Sequence, residues 1–133
     1  MKSKKKLRVI LVTICMIILV TTIIFINYMG RVNRYREMVN NIDYEDIDIS
    51  IIPDGTYIGE CNAEFIYAKV EVTVEEGRIT DIKILEHKND RGSAAEKITN
   101  EIIDKQMIDV DAISGATNSS KVIKKAVENA LLG

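Results

Sequence analysis

Residues 65–74 read Phe65-Ile66-Tyr67-Ala68-Lys69-Val70-Glu71-Val72-Thr73-Val74, and Glu75-Glu76-Gly77 follows at once. Successive side chains of an extended chain point to opposite sides. One side here takes Phe65, Tyr67, Lys69, Glu71 and Thr73, and the other takes Ile66, Ala68, Val70, Val72 and Val74. The second side is wholly apolar, so the stretch is predicted to be a strand with one face on a core. Glu75-Glu76-Gly77 turns the chain, and residues 78–87 return as another strand carrying Ile79, Ile82 and Ile84. Upstream, Thr56-Tyr57-Ile58-Gly59-Glu60-Cys61 supplies a first strand. The three form an antiparallel meander.

Beyond the meander the period changes from two to that of a helix. Residues 93–107 carry Ile98, Ile102 and Ile103 as a stripe, with Ser93 as a cap and Glu96 at capping-box spacing. Val122, Ile123, Ala126, Val127, Ala130 and Leu131 repeat the stripe on a last helix, whose polar face takes Lys121, Lys124 and Lys125. The fold class is α+β: a small antiparallel sheet with two helices. Between the helices lies Asp111-Ala112-Ile113-Ser114-Gly115-Ala116-Thr117, followed by Asn118-Ser119-Ser120. Gly115 permits a positive φ there. Residues 117–120 offer hydroxyls and an amide to cap the helix, whose N-terminus suits a phosphate. Ala116 is small enough to leave the Thr117 hydroxyl open.

Upstream of the meander, residues 43–54 are acidic and rich in isoleucine, ending at Pro53-Asp54-Gly55. They are predicted to be a solvated linker or an edge strand. Residues 31–42 place Val32, Tyr35, Met38, Val39 and Ile42 at helical spacing, a short juxtamembrane helix. Residues 9–29 hold 21 residues without a charge. As a helix they measure about 31 Å, enough for a hydrocarbon core of about 30 Å. A cleaved signal peptide is the competing reading, but Ile26-Asn27-Tyr28-Met29 is a poor cleavage site. Five basic residues precede the span, against Arg31, Arg34 and Arg36 after it. That bias predicts a cytoplasmic tail at 1–8, a single-pass signal anchor at 9–29 and an extracytoplasmic domain.

All 20 acidic residues lie beyond the apolar span. An acidic exterior without a basic stripe argues against nucleic-acid binding. With one His and two Cys, Cys15 inside the apolar run, there is no metal or haem pattern and no catalytic pair. Hydrolase chemistry has no support, and redox activity would need an organic cofactor.

The Asp, two spacers and Ser-Gly-Ala-Thr of residues 111–117 resemble the flavinylation motif of the FMN-binding domain family. Asp54-Gly55-Thr56-Tyr57-x-Gly59 and the Val72-Thr73-Val74…Gly77-Arg78-Ile79-Thr80-Asp81-Ile82 pattern resemble its opening strands, so the resemblance runs over residues 54–133. It implies FMN joined to Thr117 through a phosphoester by a dedicated flavin transferase. It further implies that Ser114, Gly115 and Ala116 shape the loop and that Asp111 serves the transferase or its magnesium. The amides of Asn118, Ser119 and Ser120 would steady the phosphate. The loop at 86–92 would approach the flavin, although His87 and Arg91 by themselves read as surface residues.

The expectation is therefore a membrane-anchored, extracytoplasmic FMN carrier, exchanging electrons between a membrane donor and an external acceptor. A module that holds or senses FMN without a covalent bond is one alternative. A flavin-free accessory subunit of a membrane complex is another.

Overall fold

A computed structural model describes residues 1–89 and 92–133 and divides the chain into two compact units, Met1–Arg34 and Tyr35–Gly133. Asp90 and Arg91 lie outside the described residues, so the expectation for Arg91 has no structural counterpart. The first unit is helical. Its helix, α1 (Lys2–Asn40), exposes apolar side chains on all faces between Val9 and Tyr28, and it is long and apolar enough to cross a membrane.

The second unit begins with the last residues of α1 and contains the meander β1 (Gly55–Ala63), β2 (Ile66–Glu75) and β3 (Arg78–Lys88), in spatial order β1-β2-β3. Both pairings are antiparallel, with Val72 opposite Tyr57 on one side and Ile82 on the other. Ile66, Ala68, Val70, Val72 and Val74 are all buried, as their alternation predicts. On β3, irregularities opposite Lys69/Val70 and Thr73/Val74 let Ile79 and Ile82, three residues apart, both reach the core. The turn at Glu76 (φ 51) and Gly77 (φ 72) has positive φ at both central positions, the twist that a two-residue hairpin favours. The opposite face of the sheet is polar. There Lys83 pairs with Glu71 at 3.2 Å, and the Tyr67 hydroxyl donates to Glu60 at 2.7 Å, which pushes the Tyr67 pKa up to about 12.

Two helices cover the apolar face. α3 (Thr117–Leu132) lies on β1 and β2, and α2 (Ile98–Lys105) lies on β3. A Cβ on Gly59 would stand 2.2 Å from both the Ala126 carbonyl oxygen and the Ala130 nitrogen, so α3 rests directly on the β1 backbone. The first helical stretch is shorter than predicted. Residues Ser93–Lys97 form a 3₁₀ turn whose N-cap is Gly92 with no side-chain cap, so Ser93 is not the cap expected of it. α2 ends where Gln106 adopts φ 52 and turns its amide to β3, accepting from Ile79 N and donating to Ile79 O, both at 2.8 Å.

The predicted solvated linker is instead a strap packed on the domain. Tyr44, Ile47 and Ile49 lie against the core, and Asp48–Ile51 closes a 3₁₀ turn whose Ser50 meets Gly77. The lysines expected on a solvated face are the clamps that hold it. Lys121 reaches Val39 O at 3.4 Å and Lys125 reaches Asp43 O at 3.0 Å. Lys124, 4 % exposed, donates to Val110 O at 2.8 Å, pairs with Asp109 at 3.0 Å and lies 4.3 Å from the centre of the Tyr44 ring. Fully buried Glu128 pairs with Lys125 and accepts from the Glu45 amide. Periodicity assigned these lysines to the polar side, but Lys125 meets Asp43 O in the strap, Lys124 lies against the strap's Tyr44 while bonding Val110 O and Asp109, and Lys121 reaches Val39 O at the end of α1. Lys124→Ala is expected to lower unfolding free energy by about 2 kcal/mol, because the Val110 carbonyl loses a charged donor and a void opens under Tyr44. Urea unfolding of the full chain in detergent would show it, and an unchanged midpoint would contradict the clamp.

Candidate functional site

The joint between α2 and α3 folds as a tight turn laid over the first turn of α3. Ala116 N donates to Ile113 O at 3.0 Å, with Ser114 and Gly115 as the central pair. Gly115 has φ 79, as its position in such a turn requires, and nothing lies within 4 Å of where its Cβ would stand. Ser120 stitches the turn down: its Oγ accepts from Ile113 N at 3.0 Å and donates to Ala116 O at 2.8 Å. Ala116 is the N-cap residue without a side-chain cap, and its methyl is buried. Its size therefore answers to packing beneath the turn.

The hydroxyls of this stretch divide sharply. Ser119 is 3 % exposed and Ser120 is fully buried, so neither serves as the expected surface cap. Ser114 and Thr117 are exposed, as are Asp111 and Asn118. Thr117 stands at the first position of a 16-residue helix with no acidic residue in its first turn. The amides of Thr117, Asn118 and Ser119 have no backbone acceptor among the described residues. Free first-turn amides and the positive end of the helix dipole favour an anion beside the Thr117 hydroxyl. The site thus combines an exposed hydroxyl, unpaired donors and open space over Gly115, and these fit a phosphate monoester of FMN.

A second group closes on this helix start. The His87 side chain is 1 % exposed rather than on the surface as its sequence context suggested. Its Nδ1 lies 3.1 Å from Glu96 Oε1 and 3.3 Å from Asn89 Nδ2, while Nε2 is buried with no hydrogen-bond partner among the described residues. Asn89 Oδ1 accepts from Gly92 N at 2.8 Å, and Gly92 packs on Ser119 so closely that a Cβ would stand 1.9 Å from Ser119 Oγ. Gly92 thereby ties Asn89, just past the end of β3, to the head of α3. From the other side Asn118 Nδ2 donates to the Tyr35 hydroxyl at 2.8 Å, and Tyr35 meets Phe65 edge-on with ring centres 5.5 Å apart. Sequence reasoning placed Tyr35 only on an apolar helix face; nothing local marks its approach to Asn118.

Cys61 lies apart from this site. It is a free thiol opening on a concavity of about 600 Å³ between the strap and β1, lined also by Met38, Tyr44 and Lys125, and no residue of the 111–117 loop borders it. Burial pushes the Cys61 thiol up, and nearby Lys125 offsets this in part. Its alkylation by iodoacetamide should be slow at neutral pH and still rising beyond the ordinary thiol pKa of about 8.5. The folded thiol holds its proton above the pH at which the unfolded one releases it, so this group costs stability as pH rises past that range. A labelling rate that levels off below pH 8 would contradict the shift.

No solved structure matches the chain. An uncharacterized protein of Treponema pallidum (strain Nichols) is 32 % identical over 81 residues, covering 59 % of this chain and 22 % of that protein. The chain thus spans less than a quarter of the length of this curated relative. The model of the FMN-binding domain matches residues 66–132, from strand β2 through the turn at Ser114-Gly115 to the end of α3. With half the sequence matched, the chain belongs to the FMN-binding domain family and its cofactor is FMN.

Proposed function

We propose that this protein is a membrane-anchored, extracytoplasmic electron carrier whose FMN is attached to Thr117 through a phosphoester. The observation that carries the reading is the exposed Thr117 hydroxyl at the head of α3, the final residue of Ser114-Gly115-Ala116-Thr117. Ser114 and Gly115 form the exposed tip of the turn, and Ser120 holds that tip in place from below. The amides of Thr117, Asn118 and Ser119 receive the phosphate, while exposed Asp111 faces the incoming transferase or its magnesium. In the transfer Thr117 Oγ gives up its proton and bonds to the FMN phosphorus as the phosphoanhydride bond of an activated, dinucleotide-type FMN donor breaks and its nucleotide half leaves, so the protein gains FMN less water. Bound FMN supplies one- and two-electron redox chemistry. A tether keeps the local concentration of cofactor high on a domain too small to enclose it deeply.

The anchor is α1. A helix apolar on every face has no stable place in water, and one with five basic residues before it favours an inside N-terminus. The partners are then the bilayer, a flavin transferase, a membrane electron donor and an external acceptor. Intact mass after co-expression with a flavin transferase tests the attachment. A gain of one FMN less water, mapped to the Thr117 peptide, supports it. An unmodified chain beside an active transferase would leave a non-covalent FMN module, recognised by colour that departs on denaturation.

A further inference from the structure

We propose that Tyr35, near the end of α1, clamps the first turn of α3 in place of the cap that helix lacks, and so positions Thr117 for flavin transfer. The inference rests on attachment at Thr117 and adds to it a residue outside the matched domain, which begins at Ile66. Helix α1 runs on to Asn40, and its residues from Tyr35 onward belong to the second unit.

A helix start frays unless its first turn is tied down. The usual tie is a Ser, Thr, Asp or Asn side chain at the N-cap, and alanine there supplies none. Helix α3 has Ala116 at that place and no side-chain cap bond. Ser120 Oγ secures the turn beneath, but its two partners, Ile113 N and Ala116 O, both precede the helix. Inside the first turn the tie comes from α1. Asn118 Nδ2 donates to the Tyr35 hydroxyl at 2.8 Å, and Lys121 Nζ reaches Val39 O at 3.4 Å. Tyr35 and Val39 stand one turn apart on α1, as Asn118 and Lys121 do on α3, so the two bonds form a short ladder between the helices. The α1 side of that ladder is fixed. Val39 is buried in the core, and the Tyr35 ring packs against the core and meets Phe65 edge-on.

Thr117 precedes Asn118, so whatever holds Asn118 holds the nucleophile. The amides of Thr117, Asn118 and Ser119 converge on one phosphate only while this turn is helical. In the transfer, Thr117 Oγ displaces the nucleotide half of the donor at phosphorus. A first turn already set spares that step the ordering of nucleophile and donors. Tyr35 touches neither FMN nor Thr117 in this scheme; it is a positioning residue acting through Asn118.

The test uses the full chain in detergent, with purified flavin transferase and its flavin donor. Tyr35→Phe removes only the hydroxyl. Asn118→Ala removes the side-chain amide while raising helix propensity, so a loss there is not a propensity effect. Hydrogen exchange of the unmodified chain should quicken roughly fivefold at the Ser120 and Lys121 amides in either variant, the size of one hydrogen bond. The kcat/KM for transfer should fall roughly two- to fivefold, with the urea midpoint close to the parent's. The double variant should be no slower than the worse single one, because both groups act through one bond. Tyr67→Phe, which removes a hydroxyl from the polar face of the sheet, should change neither reading. Parent exchange and parent kcat/KM in Tyr35→Phe and Asn118→Ala, with FMN still mapped to Thr117, would overturn the clamp alone. Fully additive losses in the double variant would overturn it too. Absence of FMN from the Thr117 peptide of the parent would overturn the attachment and the positioning role together.

Discussion

Thr117→Val should carry no covalent FMN while the domain keeps its fold. Valine reproduces the branched shape of threonine and removes the hydroxyl proposed as the ester oxygen. Thr117 is exposed and its side chain caps nothing, so the change in stability should stay within about 0.5 kcal/mol. The two hydroxyls that follow it on α3 offer no substitute. Ser119 is buried under Gly92, and Ser120 is buried with its Oγ already bonded to Ile113 N and Ala116 O. Mass spectrometry and in-gel flavin fluorescence after co-expression with transferase give the result directly. Covalent flavin surviving in Thr117→Val would move the attachment to exposed Ser114 and end the assignment. Thr117→Ser, which keeps a hydroxyl at the same place, should retain modification.

Gly59→Ala should cost the domain about 3 kcal/mol, a large part of what a fold of this size has to spare. The cause is backbone against backbone. A Cβ at residue 59 would lie 2.2 Å from the Ala126 carbonyl oxygen and the Ala130 nitrogen, neither of which can rotate away. Helix α3 must lift from β1, which opens the layer of Val70, Val122, Ile123 and Val127 beneath it. The same helix carries Thr117 at its head and holds the strap through Lys125, which reaches Asp43 O, and through Tyr44, which donates to Lys121 O and lies against Lys124. Displacement should therefore lower flavinylation as well as the urea midpoint. Wild-type stability in Gly59→Ala would mean that the helix and strand are not in the contact described.

The meander was legible because a strand with one wet and one dry face writes a period of two, and residues 66–74 do so without exception. Glu76-Gly77 and Ser114-Gly115 were legible as turns for a different reason: a glycine there allows a positive φ that most residues resist. The 111–117 motif is likewise local: its turn is closed by the bond from Ala116 N to Ile113 O and pinned by Ser120 Oγ a few residues on. Capping was less legible. Ser93, Ser119 and Ser120 all satisfy a capping rule by position, yet the first makes no cap bond and the other two are buried. His87 stood among polar neighbours, and only the packing of β3 against Gly92 and Glu96 hid its ring.

The chain by itself determined the order of strands and helices, one apolar helix of membrane-spanning length, and a tight turn leading into α3 at Ser114-Gly115-Ala116-Thr117. Each follows from interactions between residues close in sequence, where spacing is sufficient information. Tertiary structure alone decided that residues 43–54 are a strap, that Lys124 is a buried clamp and that Tyr35 stands beside Asn118. These depend on partners some eighty residues apart, as with Tyr35 and Asn118 at a separation of 83. A charged or aromatic side chain has no period that reveals which distant carbonyl, carboxylate or ring will meet it. That meeting exists only once α3 has settled on the sheet.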